Sequence, residues 1–450
     1  MRFWPAAGAP RIAVIGFGYV GSCLGVTLAG AGFDVVGVDR DRDLVADLAA
    51  GRCRVPEPGL AEALAGLAGG PLLAFTTDYD AVRAVDVVVV TVGTPVDDGG
   101  ALETAQLEEV CAELAPRLRP GQLVLLKSTV APGVTRGLVK PLLEGSGLVQ
   151  GEDFGLAYCP ERLAEGDALA QLVTLPVVVG GCDPASADAA DLFWRTALGV
   201  EVRRVPDADV AEVVKLASNW WIDVNVAMAN ELARFCALYG VDVLDVISAA
   251  NSLPKGTGRV NVLLPSVGVG GSCLTKDPWM VWRAARDRGA DLRTVRTARE
   301  VNDAMPDYAA GLIGDELAKL GKDVGSATVA VLGAAFKSDT GDLRHTPVLG
   351  VVRALRATGA TVRLFDPLAD PDAMRRVFGV EPERELADAV VGADCVAVLA
   401  GHRAFADLPP EWLAGLVSLP CLVFDGRAYY SREYIERLRR NGFGYRGIGR

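Results

Sequence analysis

The strongest chemical signal in the chain is Gly268-Val269-Gly270-Gly271-Ser272-Cys273-Leu274-Thr275-Lys276-Asp277. A thiol follows a glycine-rich turn, and an ammonium and a carboxylate follow the thiol at three and four residues. Glycine accepts positive φ and lets the backbone approach a ligand closely. A thiol beside a positive charge ionises more readily, and the thiolate is the nucleophile. A lone cysteine on such a turn is by default buried and inert; the Lys276-Asp277 pair and the neighbouring glycines argue for reactivity. A second group, Cys159-Pro-Glu161-Arg162-Leu163-Ala-Glu165-Gly166, places two carboxylates four residues apart, which on a helical turn would share a face. Lys215 and Asn219 have the same spacing and are expected to form a partly buried pair. The plainer readings are solvated carboxylates and surface polar residues.

Inventory narrows the chemistry. Only two histidines occur, His345 and His402. A Ser-His-Asp triad or a His-rich metal site therefore drops out, and Lys, Asp, Glu or Cys must do the acid-base and nucleophilic work. Nine cysteines stand scattered without a CxxC pair or zinc spacing. No metal and no disulfide framework is expected, and reduced cytoplasmic thiols fit better. The segment from Met1 to Pro10 lacks the apolar region of a secretory signal. No run of 18 uncharged apolar residues occurs, so no membrane span is expected. A net charge of -12 disfavours nucleic acid or anionic membrane as partner. Any phosphate must be held by local arginines, lysines and backbone amides.

The elements that would position these groups follow the chain. Arg11 to Ile15 is an apolar strand that runs into Gly16-Phe-Gly18-Tyr19-Val20-Gly21, then a helical pattern to about Ala31. Asp34 to Asp39 is a second strand ending in a carboxylate. In this context the glycines make the tight turn, the helix N-terminus holds a pyrophosphate and Asp39 takes the ribose hydroxyls. A carboxylate there repels a 2′-phosphate, so NAD is favoured over NADP, with Arg40 tempering that preference. Further strands are expected at Leu72 to Phe75, Asp86 to Val90, Gln122 to Leu126 and Gly155 to Tyr158, with Leu175 to Val179 closing the domain. Thr94 and Thr129 lie just after two of them, where open α/β sheets bind ligands.

From Asp209 to Tyr239 there is no glycine or proline, and the apolar period is helical. Such a helix would be about 47 Å long and so apolar that it should span domains or pack across a subunit interface. Asn251 to Leu264 reads as a linker carrying Arg259, and a helical pattern runs from Asp277 to about Leu320. A second α/β unit begins near Ser326, with strands at Thr328 to Leu332, Thr361 to Phe365, Cys395 to Leu399 and Cys421 to Phe424. It lacks the glycine fingerprint, and its strand ends carry Lys337 and Arg427, which suit a different phosphate ligand. The fold class is α/β: two Rossmann-like, doubly wound parallel-sheet domains joined by a long central helix and a helical dimerisation region. The expected boundaries are 1–205, 206–322 and 323–450.

Nearly the whole chain resembles the UDP-glucose/GDP-mannose dehydrogenase family. The matching blocks are the fingerprint, Gly93-Thr-Pro95, Ser128-Thr-Val130, Cys159 to Gly166, Lys215 with Asn219, Asn230-Glu231, Gly270 to Asp277, Phe336-Lys337 with Asp342 and Arg344, Phe424-Asp-Gly-Arg427, and the closing Gly442-Phe443 and Ile448-Gly449. The resemblance implies NAD as cofactor, a nucleotide-sugar substrate, a homodimer or larger homo-oligomer, and four-electron oxidation of a sugar CH₂OH through a Cys273 thiohemiacetal and thioester. It implies oxyanion stabilisation by Lys215 and Asn219, and water positioning or proton movement by Asp277, Glu161 and Thr129. It places Glu165 and Lys276 toward the nicotinamide and Arg344 at the NAD pyrophosphate. Arg162, Leu163, Gly270 and Gly271 would line the sugar, and Lys337 and Arg427 would hold the substrate nucleotide. Arg259 would reach substrate in a neighbouring subunit. Val269, the run Arg259-Val-Asn-Val and Asp277-Pro-Trp279 resemble the N-acetylhexosamine branch, whereas Ser272 and Lys276 resemble the glucose branch. UDP- or dTDP-glucose is the expected substrate, feeding uronate and polysaccharide synthesis. UDP-N-acetylmannosamine, UDP-N-acetylglucosamine or GDP-mannose comes second, and a non-catalytic nucleotide-sugar binder is the distant alternative.

Overall fold

The computed structural model describes Phe3, residues 8–256 and residues 258–450. The chain divides into two compact units, Met1–Ser218 with Arg283–Gly289, and Asn219–Trp282 with Ala290–Arg450. The division falls within one continuous helix, Ala208–Leu238. Its ends lie within one residue of the stretch free of glycine and proline, because nothing inside it breaks the hydrogen-bond ladder.

The first unit is built on eight strands: β1 Ile12–Ile15, β2 Val35–Val38, β3 Leu73–Thr76, β4 Val87–Val90, β5 Leu123–Leu126, β6 Gly155–Tyr158, β7 Val177–Gly181 and β8 Val202–Arg204. Their order is β3-β2-β1-β4-β5-β6-β7-β8. From β3 to β6 every pairing is parallel. Strand β1 sits between β2 and β4, so the winding reverses at its C-terminal end, where a ligand crevice opens. Ile12 and Val14 enter one core cluster while Ala13 and Ile15 enter the other. That alternation is a strand with both faces covered by helices, which is why it reads as an unbroken apolar run.

The sheet departs from the expected all-parallel order. Strand β7 runs antiparallel to β6. Only the short helix Ala168–Leu172 lies between them, not the full helix that a parallel crossover normally uses. The helix Pro184–Leu198 then returns the chain so that β8 pairs parallel to β7 and becomes the edge. Strand β8 was not among the expected elements; Val-Arg-Arg is too short and too charged to stand out.

In the second unit the expected linker contains a small antiparallel hairpin, β9 Pro254–Lys255 with β10 Gly258–Arg259. The helical stretch after the cysteine loop is three helices, Asp277–Arg286, Arg293–Asp303 and Met305–Lys319. The second sheet comprises β11 Thr328–Leu332, β12 Thr361–Phe365, β13 Cys395–Val398, β14 Cys421–Asp425 and β15 Phe443–Gly447, in the order β12-β11-β13-β14-β15. All its pairings are parallel. Val329 and Val331 face one core cluster and Ala330 and Leu332 the other, repeating the layered pattern of the first unit. Strand β15 was also not expected, since two of its five residues are glycine.

Candidate active site

Local chain geometry builds the dinucleotide cleft. Gly16 ends β1 with φ of 87°, and a Cβ there would lie 2.9 Å from Val92 Cγ1. A Cβ on Gly21 would sit 1.9 Å from the Gly16 carbonyl oxygen, so no side chain fits at the helix–turn contact. The helix Tyr19–Gly30 begins after Gly18 with no side-chain cap. Its first backbone N–H groups are thereby left for a phosphate. A pocket of about 510 Å³ opens here, lined by Gly16, Gly18, Asp39, Arg40, Arg42 and Gly93 among others. Asp39 is held by its own backbone surroundings: Phe17 N donates to one carboxylate oxygen at 2.7 Å and Asp41 N to the other at 3.0 Å. Arg40 is turned to Glu109 at 2.8 Å. Thr94 Oγ1 donates to the Thr129 carbonyl at 2.6 Å and ties the loops after β4 and β5 together. The glycine cradle, the uncapped helix start and Asp39 fit NAD.

The segment from Cys159 to Ala164 has no regular secondary structure, so Glu161 and Glu165 do not share a helical face. Pro160 and the turn at Glu165-Gly166 prevent a helix there. Glu161 is buried and lies 3.8 Å from Lys215 Nζ; the two side chains are 11% and 5% exposed. Glu161 also accepts from Leu163 N, and Arg162 donates to the Pro176 carbonyl at 2.6 Å.

Two residues of this region escaped the sequence reading. Glu57 is buried and accepts from Gly166 N and Ala168 N, each at 2.7 Å, and from the Tyr19 hydroxyl. One carboxylate thus joins the first turn of the dinucleotide helix to the loop carrying Glu161 and Glu165. Burial, then the contact with Glu57, pushes the Tyr19 hydroxyl well above its usual range. Lys127 is buried at the end of β5, with Nζ 5.2 Å from the Trp194 ring centre. Burial pushes its pKa down, against the charges of Glu161 and Cys159. Neither position carries a local signal; only spatial neighbours distinguish them.

The cysteine loop lies in the second unit. Cys273 is exposed, whereas the other eight cysteines are buried or half-buried. Burial pushes those eight thiols up, for example to about 12 at Cys23 and about 11 at Cys159. They are inert packing residues, and the default reading of Cys273 as a buried thiol fails. Gly270 and Gly271 are required: Cβ atoms there would lie 2.5 and 2.9 Å from Phe336. Gly271 N donates to the Arg344 carbonyl at 3.0 Å, so the loop is pinned against the turn after β11.

Asp277 holds the other end of the loop. Its backbone N–H donates to the Cys273 carbonyl at 2.9 Å and starts the helix that follows. Its fully buried carboxylate accepts from Asn219 Nδ2 and from Lys276 Nζ, both at 2.6 Å. Asn219, Asp277 and Lys276 are therefore one hydrogen-bonded group, which Cys273 joins through its main-chain carbonyl. Lys276, read from sequence as the charge beside the thiol, has its ammonium on Asp277.

The remaining candidates lie elsewhere in this unit. Arg344 forks onto Asp342, with Nε 3.0 Å from Oδ1 and Nη2 2.5 Å from Oδ2. Arg427 donates to the Phe336 carbonyl, next to Lys337 in sequence. Its Nε is buried without a partner, and burial lowers its pKa to about 10. Such a guanidinium is short of an acceptor. Arg259 is exposed on the β9–β10 hairpin and is not drawn into the Cys273 group.

The chain belongs to the UDP-glucose/GDP-mannose dehydrogenase family. Residues 10–197 match its NAD binding domain, 209–304 its central domain and 330–432 its UDP binding domain. It is thus a nucleotide-sugar 6-dehydrogenase, and its cofactor is NAD. Among individual relatives, UDP-N-acetyl-D-mannosamine dehydrogenase of Pyrococcus horikoshii is 32% identical over 98% of this chain and 99% of that one. UDP-glucose 6-dehydrogenase AglM of Haloferax volcanii is 33% identical over 94% of this chain and 98% of that one. The solved structure of UDP-D-ManNAc dehydrogenase from Pyrococcus horikoshii superposes with a TM-score of 0.87 at 32% identity, covering 98% of this chain and 99% of that chain. Among the described residues no helix is long and apolar enough to cross a membrane.

Proposed function

We propose that the substrate is a UDP-N-acetylhexosamine, UDP-N-acetyl-D-mannosamine first, and that its C6 hydroxymethyl is oxidised to the carboxylate. Sequence alone favoured UDP- or dTDP-glucose, on the strength of Ser272 and Lys276. The UDP-N-acetyl-D-mannosamine dehydrogenase of Pyrococcus horikoshii, similar in sequence and in structure, supports the second reading, and the Haloferax volcanii enzyme supports the first. Val269, Arg259-Val-Asn-Val and Asp277-Pro-Trp279 also support the second. Lys276 also loses weight as a marker of the sugar, because its ammonium is a partner of Asp277. UDP-glucose is the runner-up.

The observation that carries the mechanism is the single exposed thiol in a loop anchored by the buried Asp277 carboxylate. NAD supplies a hydride acceptor, twice per sugar. Cys273 adds to the aldehyde carbon after the first oxidation and holds it as a thiohemiacetal, which the second oxidation turns into a thioester. Lys215 and Asn219, one turn apart on the long helix, donate to the oxygen at C6 as negative charge develops. Glu161, held by Lys215, and Asp277, held by Asn219, position the water that cleaves the thioester and take its protons, with Thr129 beside the cofactor. Asp39 would take the ribose hydroxyls, and the backbone from Gly16 to Gly21, with Tyr19 and Val20, would hold the pyrophosphate; Arg344 is assigned to that pyrophosphate by the family resemblance alone. Thr94 and Glu165 would line the nicotinamide. Arg162, Leu163, Gly270 and Gly271 line the sugar, Lys337 and Arg427 hold the nucleotide, and Arg259 serves a neighbouring subunit. Nine free cysteines suit a reducing, cytoplasmic setting.

The test is a panel of UDP-N-acetylmannosamine, UDP-N-acetylglucosamine, UDP-glucose, dTDP-glucose and GDP-mannose with NAD and NADP, followed at 340 nm. Two NADH per UDP-N-acetylmannosamine, at the highest kcat/KM of the set, is expected. The highest kcat/KM for UDP-glucose would reject the sugar assignment, and no turnover of any member would reject the enzyme.

We also propose that the working enzyme is a homodimer through the long helix. Trp221, Met228 and Phe235 recur at seven-residue spacing and are 50%, 50% and 57% exposed. An apolar row at that spacing is a helix-packing seam. Phe235→Asp is expected to weaken association at least about tenfold, since burying an unpaired charge costs several kcal/mol. Sedimentation of an active, strictly monomeric wild type would refute the assignment.

A further inference from the structure

A pocket of about 310 Å³ lies beside the last strand of the second sheet, and neither Lys337 nor Arg427 lines it. Three separated stretches meet there: the turn after the long helix, the helix Arg432–Arg440 and the chain from Tyr445 to Arg450. Four guanidiniums, from Arg432, Arg439, Arg446 and Arg450, face two carboxylates, Asp242 and Glu436.

The four arginines are not equivalent. Arg450 is a structural clamp, with its side chain 4% exposed, Nε 3.0 Å from Asp242 and Nη1 2.6 Å from the Tyr430 carbonyl. Arg432 is bound to Asp245. Arg439 stands two turns along the same helix, exposed, and is the free charge of that face. Arg446 is held in the strand with its Nε buried and without a hydrogen bond. Its nearest carboxylate, Glu316, is 4.0 Å away and already holds Lys319 at 2.7 Å. A buried charged N–H that finds no acceptor is unfavourable, and the fork of a guanidinium matches phosphate oxygens in pairs.

We propose that this pocket is a second anion site for a diphosphate-bearing small molecule, gripped by Arg446 and Arg439 and bordered by Arg432 and Arg450. The volume exceeds what a single phosphate needs. Arg432 and Arg450 are occupied by Asp245 and Asp242, which leaves Arg439 and Arg446 to attract an anion. A ligand here binds alongside the substrate rather than in its place.

The test uses the full chain with no nucleotide added, because NAD and UDP each carry a diphosphate and would fill the pocket; binding at the dinucleotide cleft and the substrate site is common to wild type and variants and cancels in the comparison. Pyrophosphate and, separately, ADP are titrated by calorimetry at low salt. Saturable binding of either is expected, weakened at least about tenfold in Arg439→Ser/Arg446→Ser, the scale of one charge-assisted hydrogen bond. Tighter binding of ADP would identify the ligand as a nucleoside diphosphate. Arg439→Gln alone, on an exposed helix face, should already weaken binding, which covers the case of a poorly folded double variant. Turnover without added anion should be unchanged in both. No saturable heat, or equal affinity in wild type and variants, would overturn the site.

Discussion

Cys273→Ser is expected to abolish complete four-electron turnover, with the rate of carboxylate formation falling by at least about 10³-fold, as when other covalent nucleophiles are removed. Serine is close in size, and Cys273 is exposed, so the loop pinned by Gly271 and Asp277 should keep its shape and the Tm should not move. What changes is chemical. A serine hydroxyl is far less ionised than a thiol at neutral pH and is the weaker nucleophile. The first oxidation can proceed, but the aldehyde is no longer held as an adduct poised for the second. NADH should therefore stop near one per sugar or below, and aldehyde should be trapped by hydroxylamine. Two NADH per sugar at an undiminished rate in this variant would remove covalent catalysis from the mechanism.

Lys215→Ala is expected to lower kcat by about 10²–10³-fold, the loss that follows removal of one preorganised oxyanion donor. The substitution also leaves Glu161 buried without its neighbour at 3.8 Å, so some loss of stability is expected in parallel. Lys215→Met separates the two effects, because it refills the volume of the stem without restoring a donor. A similar fall in kcat for both variants, with native circular dichroism, assigns the effect to charge at the reacting oxygen. If kcat stays within about threefold of wild type in either folded variant, the residue has no part in stabilising the transition state.

Legibility followed sequence distance. The dinucleotide turn was readable because its strand, three glycines, helix and acid lie in one short stretch, and each glycine answers to a steric demand made within it. The long helix was readable because its limits are set by where glycine and proline resume. The reversed strand β7, the short edge β8 and the glycine-bearing β15 were not, since pairing direction depends on what the connecting chain does in space. Glu161 and Glu165 show the same limit: a four-residue spacing implies a shared face only if the segment is helical, and Pro160 and Gly166 keep it irregular. Lys276 was read as the charge beside a thiol, and it proved to be bound to Asp277, the residue next to it.

By itself the sequence determined the inventory and the class of chemistry: a thiol on a glycine loop, lysines and carboxylates in place of histidine, a dinucleotide fingerprint ending in Asp39, and two α/β units around a long helix. Tertiary structure alone decided which members of that inventory are partners. It left Cys273 exposed while burying or half-burying eight other thiols, brought Asn219 to Asp277 across 58 positions of chain, and set Glu57 between Tyr19 and Gly166. The reason is that a side chain's acidity and reactivity depend on burial and on charges within a few ångströms, and those neighbours are assembled by packing between elements far apart in the chain.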